Sequence, residues 1–479
     1  MDMVMNTQNK TPLSLLSASI LVAMAAFPVH ADDNDPNDVL NQSAAALDLA
    51  DEAKQAFYEE STSKLHSFLY IRDRQQKNAS DEYVPNIENQ TLQLAWDYRS
   101  GYFKDTIGFD IWANTNLQVG DTTGMSEILY YDHTCEGNPS YDGKACEKSY
   151  VAVPVASLKA KFGDDETGVA LRGGYTRINI GTIRSSWGLN PHAYRGVEAK
   201  AHFGDFVVGY AIADKFKNDW RKNFHDMTTT WHQNQDPTGK QGKIIDYIHT
   251  VGGIYKFDGG QIDLGYGEGK DYRTNWQILG KYGFDLGDAK VNLTGFYHGS
   301  IRAETELTGL KDQEAQSYVG VGANVKSGNF TWIAGLSATD TKGQEGTYNF
   351  RLTPWANSDN RNFQQTTSQL EDYNVDGTRA VKLAMNYNFA DFGVPGLTAG
   401  VGANYGTNVM SDFAKKEYDA TMKSLDWNIG YKFLEGGLKG LNVRMFHGYY
   451  DHGDSISRGP KTNDRTDVKL LISYSVNLK

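Results

Sequence analysis

Between Thr91 and Arg99 the side chains alternate: Leu92, Leu94, Trp96 and Tyr98 interleave with Thr91, Gln93, Asp97 and Arg99. A strand reverses side-chain direction at every residue, so such a stretch is a ribbon with one greasy face and one wet face. Similar stretches, each roughly ten residues long, recur along most of the chain, close to the roughly 9–11 residues that a tilted strand needs to cross a bilayer. Within hydrocarbon, the backbone of such strands is satisfied only if the sheet closes on itself. The pattern therefore implies a closed cylinder with lipid outside and water inside, which is a pore.

The strand at Lys64–Arg74 sets Leu65, Leu69 and Ile71 against His66, Tyr70, Arg72 and Arg74. Asp105–Asn114, Asn275–Phe284 and Ser424–Phe433 alternate in the same way, and Val468–Leu478 presents Val468, Leu470, Ile472, Tyr474, Val476 and Leu478 on one face. Tight-turn sequences at Ser100-Gly101, Gly204-Asp205, Asp258-Gly259-Gly260 and Asp285–Asp288 take turns with long polar stretches at 115–148, 176–194, 214–243, 340–376 and 408–421. Hairpins that close briefly on the periplasmic side and extend on the outside give this rhythm. The expected fold is all-β: a transmembrane antiparallel up-and-down β-barrel of about eighteen strands.

Composition sharpens the compartment. Lys10, the mostly apolar run Leu13–Phe27 and Val29-His30-Ala31 read as a secretory signal at residues 1–31. Residues 32–63 carry Leu40, Ala44, Leu47, Ala50, Ala53, Ala56 and Phe57 at helical spacing, a periplasmic segment either helical or disordered. The barrel is expected over 64–479. No later run approaches twenty apolar residues, which excludes helical spans but not strands. A formal net charge of −12 argues against a nucleic-acid partner. Cys135 and Cys146 flank a turn-rich stretch in a long loop, and an oxidising compartment favours a disulfide between them. Two sulfurs are too few for zinc, no spacing suggests a nucleophile and base, and no cofactor or metal is called for.

Several motifs resemble one family. Gly174-Tyr175 opens a run through Trp187, Pro191, Tyr194, Arg195 and Gly196-Val197-Glu198-Ala199. Further motifs are Asp246-Tyr247-Ile248-His249, Gly346-Thr347-Tyr348, Phe350-Arg351-Leu352-Thr353-Pro354, Asp376-Gly377-Thr378-Arg379-Ala380-Val381 and Val394-Pro395-Gly396-Leu397-Thr398-Ala399. Together they resemble the OprD-type specific porins of the Gram-negative outer membrane, most nearly the chitoporin branch of chitooligosaccharide channels. The resemblance implies passive, solute-specific diffusion, about eighteen strands, a third loop folded into the lumen, and a basic row along the pore. Here that loop is Thr176–Tyr194. Its partners would be outer-membrane lipid, lipopolysaccharide and a small solute, in a monomer or a trimer.

A channel for an uncharged sugar needs flat aromatic faces and exchangeable hydrogen bonds, weak enough to let the solute leave. Trp112, on a wet strand phase, and Trp187, in the third loop, are the stacking candidates; Trp220, Trp231 and Trp355 could form an outer landing site. Trp96, Trp276 and Trp427 fall on the lipid phase and fit an interfacial girdle. Arg72, Asp110, Arg177, Arg184, Arg195 and Arg351 are the charged candidates for the solute pathway. For each, the plainer reading is an arginine paired with an acid to keep the wall solvated. Rival functions are a same-family channel for amino acids, peptides or small organic acids, a barrel-based outer-membrane enzyme such as a lipase, and a soluble secreted β protein.

Overall fold

A computed structural model describes residues 49–78, 80–120, 122, 128–129, 149–164, 166–185, 190–218, 221–229, 242–354, 364–455 and 464–479. Eighteen long strands are built from the alternating stretches: Thr62–Lys77, Tyr83–Arg99, Ile107–Gln118, Tyr150–Gly163, Thr167–Thr176, Ala193–Phe203, Phe206–Lys217, Ile248–Phe257, Gly260–Gly269, Arg273–Leu286, Ala289–Arg302, Gln316–Ser327, Phe330–Asp340, Arg379–Asn388, Leu397–Val409, Ala420–Lys432, Asn442–Asp451 and Arg465–Asn477. Each pairs antiparallel with its predecessor. The first also pairs with the last, from Lys64 opposite Asn477 to Gln76 opposite Arg465. That seam closes the sheet and leaves no edge, as a backbone in hydrocarbon requires. The expected barrel and its strand number hold.

The two faces separate as the alternation demands. Leu94, Ile278 and Leu425 are 43–51% exposed on the outer, lipid-facing phase, whereas Arg72, on the wet phase, is 2% exposed. Trp96 and Trp427 stay partly exposed on the outer phase. Trp276 lies across Gly299, where a Cβ would meet its ring at 2.1 Å, so the ring covers the backbone that glycine leaves bare.

Connection lengths segregate less strictly than the sequence suggests. Outer links at 119–149, 177–192, 218–247 and 341–378 are long, but those at 78–82 and 270–272 are as tight as the turns at the other end. Both contain a residue at positive φ, Asp81 and Asp271, so a tight reversal suffices where neighbouring strands end level. Two further outer links, 303–315 and 452–464, escape notice in the sequence.

The helical turn Gln55–Glu59 precedes the first strand and docks on the end where that strand begins and the last one finishes. Gly101 N donates to Ala56 O at 2.7 Å, and the Phe57 ring packs on Phe109 at 5.4 Å. Leu478 N donates to Ser63 O at 2.8 Å, tying the last residues to the first strand. Residues 49–53, ahead of this turn, are helical.

Candidate functional site on the lumen wall

The wet phase of the wall is not bare. Between the strands Thr167–Thr176 and Ala193–Phe203, residues Asn179–Ile180 and Ile183–Arg184 form a small hairpin. Its polar contacts go to wet-phase wall residues. Thr182 N donates to Thr250 Oγ1 at 2.9 Å, Gln277 Nε2 to Gly181 O at 2.9 Å, and Asn179 N to Glu198 Oε2 at 2.7 Å. Arg184 reaches Asp263 as an ion pair. Ile178, Ile180 and Ile183 are fully buried with Tyr194, Ala211, Phe216, Met227 and Ile248. These isoleucines account for the apolar content that a solvated loop would not need. Close approach depends on missing side chains: a Cβ on Gly252 would lie 2.4 Å from Gly181 N, and one on Gly265 would lie 2.7 Å from Gly181 C.

A second segment, described over 341–354 and 364–378, does the same elsewhere on the wall, and nothing in its own sequence marks it. Leu352 joins the hairpin's isoleucines in one buried cluster. Gln365 sits over Gly335, where a Cβ would meet its carbonyl oxygen at 2.2 Å. Gln369 N donates to Asp426 Oδ2 at 3.1 Å and its side chain to Asp467 O at 2.8 Å. Tyr373, fully buried, donates to Ser424 Oγ at 2.9 Å. Tyr348 packs among Phe296, Tyr318 and Phe350 and shares a 2.7 Å hydrogen bond with His298 Nδ1. Burial holds the Tyr348 and Tyr373 hydroxyls well above the ordinary tyrosine range, so both remain donors.

Most wet-phase cations face a carboxylate. Arg72 holds Asp467 with two hydrogen bonds of 2.9 Å, and Arg74 and Lys469 reach the same acid at 3.5 and 3.7 Å. Asp110 takes Lys159 at 2.8 Å and Arg172 at 3.3 Å. Arg99 pairs with Asp97 at 3.0 Å, Lys200 with Glu198 at 2.9 Å, and Arg465 with Glu371 at 2.9 Å. Arg273 and Arg302 share Glu345. Other wet-phase or hairpin cations are held differently: Lys382 donates to Thr367 O, Arg444 lies over the Phe446 ring at 4.7 Å, and Arg177 lies over the Trp112 ring at 5.1 Å. Burial lowers the proton affinity of Arg177, and Asp97 opposes that effect; the guanidinium stays charged.

Trp112 thus belongs to a stack. The His66 ring lies against it at 5.3 Å and 16°, and Arg177 covers it from the loop. Asp110, Trp112 and Arg177 come together; Arg184 lies farther along the hairpin with Asp263, and Arg72 sits at the closing seam. Arg195 is not in this group. A bulge between Arg195 and Gly196 in the pairing with Phe206–Lys217 leaves Asp214 as the extra residue. Arg195 pairs with Asp214 on the phase of the exposed Val197, away from the lumen. Arg351 takes up a bend between the buried Phe350 and Leu352, its N donating to Asn349 Oδ1 at 3.0 Å. Trp187, Trp220, Trp231, Trp355, Cys135 and Cys146 lie outside the described residues. The partner acids Asp263, Glu345, Glu371 and Asp467, together with His66, were missed as site residues, because a wet-phase acid carries no sign of which distant strand it will face.

A closed barrel of even strand number, greasy outside and charged inside, defines an outer-membrane diffusion channel. The chain belongs to the OprD family of outer membrane porins, whose pattern matches residues 55–478. Members of that family are channels, not enzymes, and this one is a Gram-negative outer-membrane protein. It is similar to the chitoporin of Escherichia coli (strain K12), 24% identical over 449 residues, covering 87% of this chain and 92% of that protein. Its fold matches the crystal structure of Pseudomonas aeruginosa OpdK with vanillate at a TM-score of 0.70 and 17% identity, covering 88% of this chain and all of that one. It also matches P. aeruginosa OccK2 (OpdF) in complex with glucuronate at a TM-score of 0.68 and 18% identity, covering 89% of this chain and all of that one. A BenF-like porin from Pseudomonas fluorescens Pf-5 matches at 0.70 and 19% identity, over 88% of this chain and all of that one.

Proposed function

We propose that this channel passes chitooligosaccharides passively, selecting them by ring stacking and hydrogen bonds rather than by charge. One observation carries the reading: Arg72, Arg99, Lys159, Arg184, Lys200 and Arg465 on the wall and hairpin each already hold a carboxylate within 3.0 Å. An anion selector needs cations free to meet the solute, because a pair already formed must be broken first. An uncharged sugar makes no such demand. It needs the flat face of Trp112 and the fork donors of arginines such as Arg177 and Arg184. The likeness to a chitoporin agrees with this solute class.

In this reading the hairpin at 177–185 narrows the lumen, and Arg72, Asp110, Trp112, Arg177 and Arg184 line the solute's path. Residues 1–31 are the export signal, and Cys135 and Cys146 bridge an outer loop. The competing reading, a carboxylate channel, draws on the vanillate and glucuronate held by the two Pseudomonas relatives. Single-channel recording in a planar bilayer separates them. Chitohexaose should interrupt the current, while maltohexaose and glucuronate should not. Current interrupted by glucuronate alone would reject the proposal.

A further inference from the structure

We infer that the stack at Trp112 contains a subsite for the acetamido group of an N-acetylated sugar. This rests on the chitooligosaccharide reading and deepens it. Register sets the geometry. His66 is opposite Ala95, and Ala95 is opposite Asn114, so these three form one row across three adjacent strands. Trp112 comes from the next row, opposite Asp97, and its ring reaches across to lie on His66. Ala95, 2% exposed, is the small floor that leaves room for this. His66, Trp112 and Asn114 therefore surround one spot on the wall.

Three polar atoms of mixed kind at that spot have no partner among the described residues. Trp112 Nε1 carries a hydrogen it gives to nothing. Asn114, 3% exposed, donates its amide hydrogen to Asn116 Oδ1 at 3.3 Å and leaves its own Oδ1 unmatched. His66 Nδ1 is engaged with Ser475 Oγ at 2.8 Å, while its Nε2 has no partner. Buried polar atoms normally find partners, so three unmatched ones around one floor call for an outside group. An indole N–H matches a carbonyl oxygen, and an amide oxygen matches an N–H. A secondary amide offers both in one plane. A carboxylate offers only acceptors and would leave Asn114 Oδ1 facing another lone pair; a hydroxyl donates and accepts from a single oxygen, whereas the amide carries its donor and its acceptor on separate atoms.

Arg177 is the cover of this subsite. It makes no ion pair among the described residues and is held over the indole by its cation–π contact. A pyranose face can replace a guanidinium on a ring without breaking a salt bridge. Displaced, Arg177 remains on the adjoining loop with its donors turned to the sugar hydroxyls.

Chitohexaose and cellohexaose share ring and linkage and differ at the acetamido group, so their blocking constants isolate it. Both are measured on the full-length channel, unsubstituted and as Trp112→Phe and Asn114→Leu. Trp112→Phe keeps an aromatic face and deletes the N–H. We expect it to weaken chitohexaose about fivefold more than cellohexaose, the worth of one net hydrogen bond, because the smaller ring face costs both sugars alike. Asn114→Leu, with its ring stack intact, should give the same selective loss and stands as an independent variant should the first not assemble. Equal weakening of both sugars, or no weakening of either, overturns the subsite. If the unsubstituted channel prefers chitohexaose yet the variants keep that preference, the subsite alone fails; if chitohexaose never blocks it, the proposed function fails first.

Discussion

At the residue scale, the arginines that look like solute ligands are first of all structural charges. Arg72 and Asp467 come from the first and last strands, 395 residues apart, and meet where the barrel closes. Both side chains are at most 1% exposed. Such a pair costs much to desolvate and more to break, because the survivor is a buried charge without its counterpart. Asp467→Ala should therefore destabilise the barrel by about 3–5 kcal/mol, since it strands Arg72 and weakens Arg74 and Lys469 as well. Replacing both partners, as Arg72→Met with Asp467→Leu, should recover most of the loss. Urea titration of folded protein in detergent, read by the heat-modifiable shift on gels, checks both. A double variant as unstable as the single one would show that the pair itself supplies the stability. The alternation in Lys64–Arg74 put Arg72 on the wet phase correctly, but the sequence held no hint of its partner. Pairing across a closing seam depends on register, and register is set by all eighteen strands together.

At the element scale, the hairpin was legible and the second segment was not. Ile178, Ile180 and Ile183 are too apolar for an outer loop and marked the first one. The segment 364–376 carries glutamines, threonines and acids, which read as ordinary solvated loop. Its signal lay in the wall beneath it: Gly320, Gly322 and Gly335 occupy wet-phase positions where a water-filled pore gains nothing from glycine. The same absence marks Gly252 and Gly265 beneath the hairpin. Glycine on the wet phase of a barrel strand thus records where a loop rests against it. Gly252→Val should push the hairpin off the wall, at about 1–3 kcal/mol of strain. Single-channel conductance should rise and chitohexaose block should weaken. Gly280→Val is the control, because nothing lies within 4 Å of a Cβ there. Unchanged conductance in a folded Gly252→Val barrel would mean that the hairpin does not limit the current.

At the scale of the whole molecule, net charge and lumen character are separate quantities. The chain carries a formal charge of −12. Surplus acid on loops and turns contributes to that sum as fully as the wall does. The wall is mixed and locally balanced: the pairs at Asp97, Asp110, Glu198, Asp263, Glu371 and Asp467 recur around the circumference, on strands from both halves of the chain. Closely paired charges have fields that fall off quickly, whereas an unpaired row of one sign acts over a Debye length, about 10 Å at 0.1 M salt and about 3 Å at 1 M. A solute drawn in by such a row would bind far more weakly at high salt. Ring stacking and hydrogen bonds between neutral groups are not screened in this way. The chitohexaose blocking constant should therefore change by less than about twofold between 0.1 and 1 M KCl. The current itself should show only weak preference between cation and anion in a salt gradient. A steep loss of block with salt would place an unbalanced charge at the binding point. Arg177 would then be the first residue to neutralise, because it is the hairpin cation that lies on an aromatic ring rather than on an acid.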